Sequence, residues 1–259
     1  MAAPDLDLYE EHRPSAGLGG VVRCTWSRGI AGPRKQATIT PDGCVDLVAM
    51  PGGGVSVAGP DTGPKVAELG RGVVVGLRFR IGVAGSVLGI AASALRDQRV
   101  PLVELWSDEG RRLEERLGLE GSATARRKLL EEAVRGRVHG LDGPDALVVA
   151  AANRLEVGEC RVRELGHHFG VSERQLRRRF DAAVGYGPKT LERVLRFRRL
   201  LAAFERSGAA ELSHLAHSAG YADQAHMTRE CVELAGATPR TLRDRSSSVA
   251  RAQHGPPSA

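Results

Sequence analysis

Arginine is the side chain that most often reads guanine, because its planar guanidinium matches the O6 and N7 acceptors in the major groove. Arg174, Arg177 and Arg178 fall within Ser172-Glu173-Arg174-Gln175-Leu176-Arg177-Arg178-Arg179-Phe180. They lie off the apolar stripe that Leu176 and Phe180 form four residues apart. Ser172 with Gln175 three residues on is a capping box, so the stretch predicts the start of a helix. A narrow apolar seam with an arginine-rich outer face suits a helix that enters the major groove. Taken alone, the pattern is also that of a solvated charged face.

A second copy separates the two readings. Counted from caps at Ser172 and Asp223, Leu176 and Met227 share offset +4, and Arg178 and Arg229 share +6. Gly185 and Gly236 stand at +13, Pro188 and Pro239 at +16, and Thr190-Leu191 and Thr241-Leu242 at +18 and +19. Upstream, Leu165-Gly166 and Gly170 parallel Leu215-Ala216 and Gly220. So many shared offsets in so short a window point to one supersecondary unit stated twice. Each unit has a first helix (161–168, then 211–219) with a small residue where a second helix packs, a glycine at the turn, and a capped second helix.

Residues 144–245 resemble the DNA-binding domain of AraC/XylS-type bacterial transcription regulators. The resemblance is carried by Leu176-x-Arg178-x-Phe180, by Gly220-Tyr221-Ala222-Asp223-Gln224-Ala225-His226-Met227-Thr228-Arg229, and by Gly236-Ala237-Thr238-Pro239-x-x-Leu242-Arg243. Cys231 stands where the family usually has Phe, and Gly166 where it has Ala; both predict a looser core. The resemblance implies a regulator that binds double-stranded DNA sequence-specifically, its two recognition helices in adjacent major-groove segments. Base-edge contact falls to Arg174, Arg177 and Arg178 in the first helix and to Gln224, Ala225, Thr228 and Arg229 in the second, with Gln175 also at the DNA-binding surface. RNA polymerase, and a small-molecule effector in residues 1–140, stay open as further partners.

The elements that position these residues follow in chain order. Pro144 marks the start of a helix over 142–157, and Pro188 opens a long helix over 189–205. That helix is apolar on two sides, Leu191, Val194, Leu195 and Leu201 on one and Phe197, Leu200 and Phe204 on the other, as a helix between two modules should be. Arg193, Arg196 and Arg199 fall off both stripes and are either phosphate contacts or solvated. Ahead of a linker at 140–144, short β-rich runs at 21–26, 36–40, 44–50, 55–57 and 73–79, separated by Gly/Pro turns, predict a small sheet or barrel. Helical patterns follow at 82–88, 93–96, 102–117 and 124–138. Arg126, Arg127 and Lys128 near the start of the last oppose its dipole, which predicts fraying or an acidic partner. Pro41-Asp42-Gly43-Cys44-Val45-Asp46-Leu47 and Gly76-Leu77-Arg78-Phe79-Arg80 are similar to effector domains that precede such regulators, and imply a cupin-like fold. The fold class is therefore α+β, with a β-rich domain (1–140), an all-α double helix-turn-helix domain (141–245) and a disordered tail (246–259).

Composition narrows the function classes. Net charge is +6, and residues 174–199 hold nine basic and two acidic side chains, a patch suited to phosphate. Aromatics at 4% are too scarce for a base-stacking platform on single strands. The lack of a long apolar run and of a leader pattern predicts a cytoplasmic protein without membrane association. Cys24, Cys44, Cys160 and Cys231 lie far apart, so no zinc site or disulfide framework is expected, and Gly52-Gly53-Gly54 is not followed by a phosphate-loop lysine. No cofactor and no catalytic constellation is expected. The competing class is an enzyme, such as a cysteine-dependent DNA-repair protein targeted by its C-terminal modules, with Cys24 or Cys44 as nucleophile. Cys44 and Asp46 share one strand face, where they either meet a ligand or serve the core, Asp46 then pairing with Arg78 or Arg80. Trp26 is assigned to the core.

Overall fold

The protein is described from a computed structural model, which covers residues 9–30, 35–138, 143–206 and 211–245. The tail at 246–259 and most of the linker lie outside the described residues.

Alternating apolar side chains build the N-terminal half as sheet. Its strands are β1 (Tyr9–His12), β2 (Val22–Ile30), β3 (Lys35–Ile39), β4 (Asp46–Ala49), β5 (Val55–Ala58), β6 (Lys65–Leu69), β7 (Gly72–Phe79) and β8 (Arg99–Pro101). Six pair antiparallel in the order β1-β2-β7-β4-β5-β8, while β3 and β6 form a separate two-stranded ribbon. Register sends Leu47, Val57, Val75, Leu77 and Phe79 to one face, where they pack with α1 (Ala84–Leu88), α2 (Leu102–Leu119) and α3 (Ala123–Val138). Cys24, Trp26, Val48 and Val74 take the other face. β1, β6 and β8 carry no alternation strong enough to predict them. The helix expected as one piece over 102–117 is broken at Ser107, whose φ of 46° and ψ of −121° interrupt α2.

The expected acidic partner for the start of α3 is replaced by backbone. Arg126 is buried, and its guanidinium donates to the carbonyls of Val73 (2.7 Å), Met50 (2.7 Å) and Ala49 (3.3 Å). These carbonyls end β4 and β7, so the arginine ties the helix start to the sheet.

The C-terminal half is all helix: α4 (Ala146–Val157), α5 (Val162–His168), α6 (Glu173–Val184), α7 (Pro188–Arg206), α8 (Leu212–Ala219) and α9 (Gln224–Ala235). Asp145, not Pro144, starts α4; its side chain accepts from Val148 N. α7 serves two cores, as its two apolar sides predict, but the partition differs. Leu191 and Leu195 join Leu176, Phe180 and Val184 of the first unit. Val194, Phe197, Leu200 and Phe204 join Met227, Cys231 and Leu234 of the second. Cys44 and Ile81, from the N-terminal half, belong to the first of these cores, so apolar packing continues across the predicted boundary at 140.

Candidate nucleic-acid interface

The two units repeat in backbone detail. Gly170 (φ 63°) and Gly220 (φ 93°) turn the chain in the left-handed region that favours glycine. Gly170 N donates to His167 O and Gly220 N to His217 O; Val171 N donates to Gly166 O and Tyr221 N to Ala216 O. The second turn is one residue longer, since Asp223 caps α9 three residues after Gly220 while Ser172 caps α6 two after Gly170. A Cβ on Gly166 would stand 3.0 Å from Val171 O, close to the turn that Ala216 makes with its methyl in the second unit. Cys231 is fully buried in the second core.

Leu176, Phe180 and Val184 bury one side of α6, and Met227, Cys231 and Leu234 one side of α9. Full burial of a phenylalanine such as Phe180 contributes about 2–3 kcal/mol, which fixes the face that each helix turns outward. Arg174, Arg177 and Arg178 are exposed on α6, and Gln224, Ala225 and Arg229 on α9; Thr228 is half-buried. Two polar side chains among the predicted contacts are already engaged. Gln175 Oε1 accepts from Ser172 N (3.0 Å) and Ser172 Oγ (2.9 Å), which leaves its amide NH2 for a partner. Thr228 Oγ1 donates to Gln224 O at 2.8 Å, which leaves its lone pairs and methyl.

The basic patch at 174–199 is less open than its charge count suggests. Arg179 pairs bidentately with Asp145 (2.6 and 2.7 Å), and this holds the Asp145 carboxyl below its usual range. Arg193 pairs with Glu233, and Arg196 with Glu230. Arg198 meets Glu156 (3.2 Å) and Asp42 O (3.2 Å), and Arg199 reaches Leu155 O (3.4 Å) and Ala219 O (3.5 Å). Arg193, Arg196 and Arg199 are each half-buried and engaged within the protein, and they brace α7 against its neighbours. Within the patch, Arg174, Arg177, Arg178 and Lys189 are exposed and show no ion pair among the described residues.

The N-terminal half abuts the far end of α6. Arg96 lies 3.5 Å from Asp181, and a Cβ on Gly185 would stand 2.5 Å from Pro60 Cγ and 3.0 Å from Ala92 O. Contact is thus made at the C-terminal turns of α6, and Arg174 and Arg177 nearer its start are exposed.

The chemistry of the competing class finds little support in the thiols. Burial pushes the Cys24 thiol up to about 11 and the Cys231 thiol up to about 12, and raises Cys44 further. Asp46 pairs with Arg78, as one alternative predicts, while Arg80 donates to Gly19 O. Both Cys44 and Asp46 also line a cavity of about 410 Å³ between the large sheet and the β3–β6 ribbon. No cluster suited to a metal ion and no helix long and apolar enough to cross a membrane occurs among the described residues.

Comparison with known proteins agrees with this geometry. Residues 165–245 match a helix-turn-helix domain family, and residues 10–101 match a domain of unknown function (DUF6597). A protein of Streptomyces antibioticus described as an AraC-like transcription regulator is 36% identical over 117 residues, covering 43% of this chain and 37% of the relative. The chain thus spans little more than a third of the length of the curated relative it matches. Among solved structures, ToxT of Vibrio cholerae aligns over 92% of this chain and 96% of its own in an apo form, at 10% identity and a TM-score of 0.43. A ToxT structure bound to unsaturated fatty acid aligns over 90% and 93%, at 8% identity and a TM-score of 0.40. Those scores are too low to carry an argument, so the assignment rests on the duplicated unit and the matched domain: the C-terminal part of this chain is a double helix-turn-helix domain of the AraC/XylS type, set behind a β-rich N-terminal domain.

Proposed function

We propose that the chain is a sequence-specific regulator that reads double-stranded DNA with α6 and α9. One observation carries the reading: the two capped helices at matched offsets each turn an unburied polar face outward, and among the described residues Arg174, Arg177 and Arg178 of α6 show no ion pair while the arginines around them are bound internally. Side chains on the first turns of a recognition helix reach base edges, and arginine there specifies guanine. α7, at 19 residues, spans about 28 Å between the units. This suits two insertions one turn of DNA apart, about 34 Å. Arg174, Arg177, Arg178, Gln224, Ala225, Thr228 and Arg229 are assigned to bases, with Gln175 beside them through its free amide.

On this reading residues 1–140 are an effector domain, 141–245 the DNA-binding domain and 246–259 a tail. The cavity is the effector site, and no residue is given a catalytic role. The test is to capture genomic fragments with the purified protein and sequence them. A shared motif with two half-sites about 10 bp apart supports the reading, and enrichment without a common motif refutes it.

A further inference from the structure

The cavity above the large sheet is lined by four cationic side chains and four carboxylates, and these are unevenly placed: Asp42 and Asp46 share the guanidinium of Arg78. Register sets Cys24, Arg78 and Asp46 side by side in one row across β2, β7 and β4, and Trp26, Gly76 and Val48 in the next. Arg78 is the cation of the first row and is shared by three carboxylates. Its Nε and Nη2 donate to Asp46 at 3.0 Å each, Nη2 lies 3.2 Å from Asp42, and Nη1 lies 3.4 Å from Glu11. One guanidinium therefore faces three acids. Arg28 lines the same cavity four residues along β2 from this row, and Arg198 donates to the carbonyl of Asp42 at 3.2 Å. Arg99 is taken up by Asp61, and Lys65 lies beside Asp97.

An aromatic wall stands next to Asp46. A Cβ on Gly76 would fall 2.2 Å from Trp26 Cε2 and Cζ2, so the glycine lets the indole lie flat on the sheet. Trp26, 8% exposed, is among the residues that line the cavity. Its Nε1 donates to Asp46 at 3.0 Å, which holds the ring plane, and Tyr9 lies 5.9 Å away, tilted by 38°. An indole beside carboxylates that share one guanidinium attracts a cation by the ring quadrupole and by charge together.

We propose that this cavity takes a small organic cation, an ammonium or guanidinium carried on an apolar body, seated between the face of Trp26 and the carboxylates of Asp42 and Asp46. The proposal rests on the reading of residues 1–140 as an effector domain. Ile39, Val48, Met50 and Val66 line the cavity and give the apolar body its wall. Burial pushes the Asp46 carboxyl up, with Arg78 opposing it, so a second cation there meets a carboxylate that gains from one.

The test uses the full chain at fixed ionic strength, with tetramethylammonium, choline, butylammonium and agmatine as probes. The controls are 3,3-dimethylbutan-1-ol, which is choline's uncharged carbon analogue, and hexanoate. At least one cation should give a saturable rise in Tm and a calorimetric isotherm, and neither control should. Trp26→Leu and Asp46→Asn should each weaken that binding about tenfold. Asp42→Asn, at a more exposed position, replaces Asp46→Asn if the latter does not fold. Failure of all four cations, equal binding of the uncharged analogue, or unchanged affinity in the variants overturns the proposal. DNA binding measured on the same preparation keeps the two readings apart. Protein that binds its DNA site but no cation overturns this inference alone, and protein that binds a cation but no DNA overturns the regulator reading alone.

Discussion

Arg196 of α7 grips Glu230 of α9 with two donors, Nη2 to Oε1 at 2.5 Å and Nε to Oε2 at 3.2 Å, and stacks over the ring of Tyr221 with its guanidinium carbon 5.1 Å from the centroid. Glu230 is buried, so removing the arginine leaves a carboxylate short of compensation. Arg196→Ala should cost about 3 kcal/mol of stability, felt in the second unit. Urea unfolding followed by hydrogen exchange should show α8 and α9 opening early while α6 keeps its protection. Uniform loss of protection across both units would contradict the pairing as a local brace.

Arg178 and Arg193 should behave differently on DNA. Arg178 is exposed near the start of α6, whereas Arg193 is spent on Glu233. Arg178→Ala should cost about 1–3 kcal/mol on the preferred duplex and relax the preference at one position. Arg193→Ala should leave the salt slope unchanged, where a phosphate contact would lower it by about one. Salt titrations of both variants on preferred and scrambled duplexes decide this. Equal weakening of both duplexes by Arg178→Ala would mean that Arg178 only positions the protein.

The contrast between those two arginines shows what the sequence makes legible. The capping box and the Leu176–Phe180 stripe are local, spaced by three and four residues, and they gave the face of α6 directly. The partners of Arg193 and Arg196 lie 34 to 40 residues away and enter only when α9 docks on α7. Periodicity places those arginines off the apolar stripes and says nothing about what meets them. The same holds for Arg126, whose partners are strand-end carbonyls 53 to 77 residues distant. The Asp46–Arg78 pair was legible as one of two alternatives because both residues sit on strands of the predicted sheet. Trp26 is legible as a core residue, but its flat seat on Gly76 depends on a cross-strand register that the sequence does not spell out.

Glu156 joins the two halves, accepting from Arg23 of β2 and from Arg198 of α7. Burial alone would raise its carboxyl; the two guanidiniums outweigh that and hold it below the usual range. A carboxylate with a depressed folded pKa contributes stability that is present above its unfolded value, near about 4.3, and is lost as pH falls through the folded value. Contact between β2 and α4 should therefore hold from neutral pH down to about 4 and loosen below it. Hydrogen exchange in these elements as a function of pH, in the wild type and in Glu156→Gln, checks this. The variant should be loosened already at pH 7, and matching acid profiles would contradict the assignment.

The thiols test the competing enzyme reading. With Cys24 raised to about 11 by burial, only about one molecule in a thousand carries the thiolate at pH 8. Iodoacetamide labelling read by mass spectrometry should find Cys24 and Cys44 slower than an unfolded control by a large factor. Rapid labelling of either at neutral pH would restore the nucleophile.

Footprinting tests the central claim most directly. A duplex selected by the full chain from a random pool should show two protected major-groove segments, about 10 bp apart and on one face of the DNA, from a single chain. Arg178→Ala should lose preference in one segment, and Arg229→Ala in the other. A single protected segment, two segments out of helical phase, or a pool that yields no preferred sequence would contradict the account.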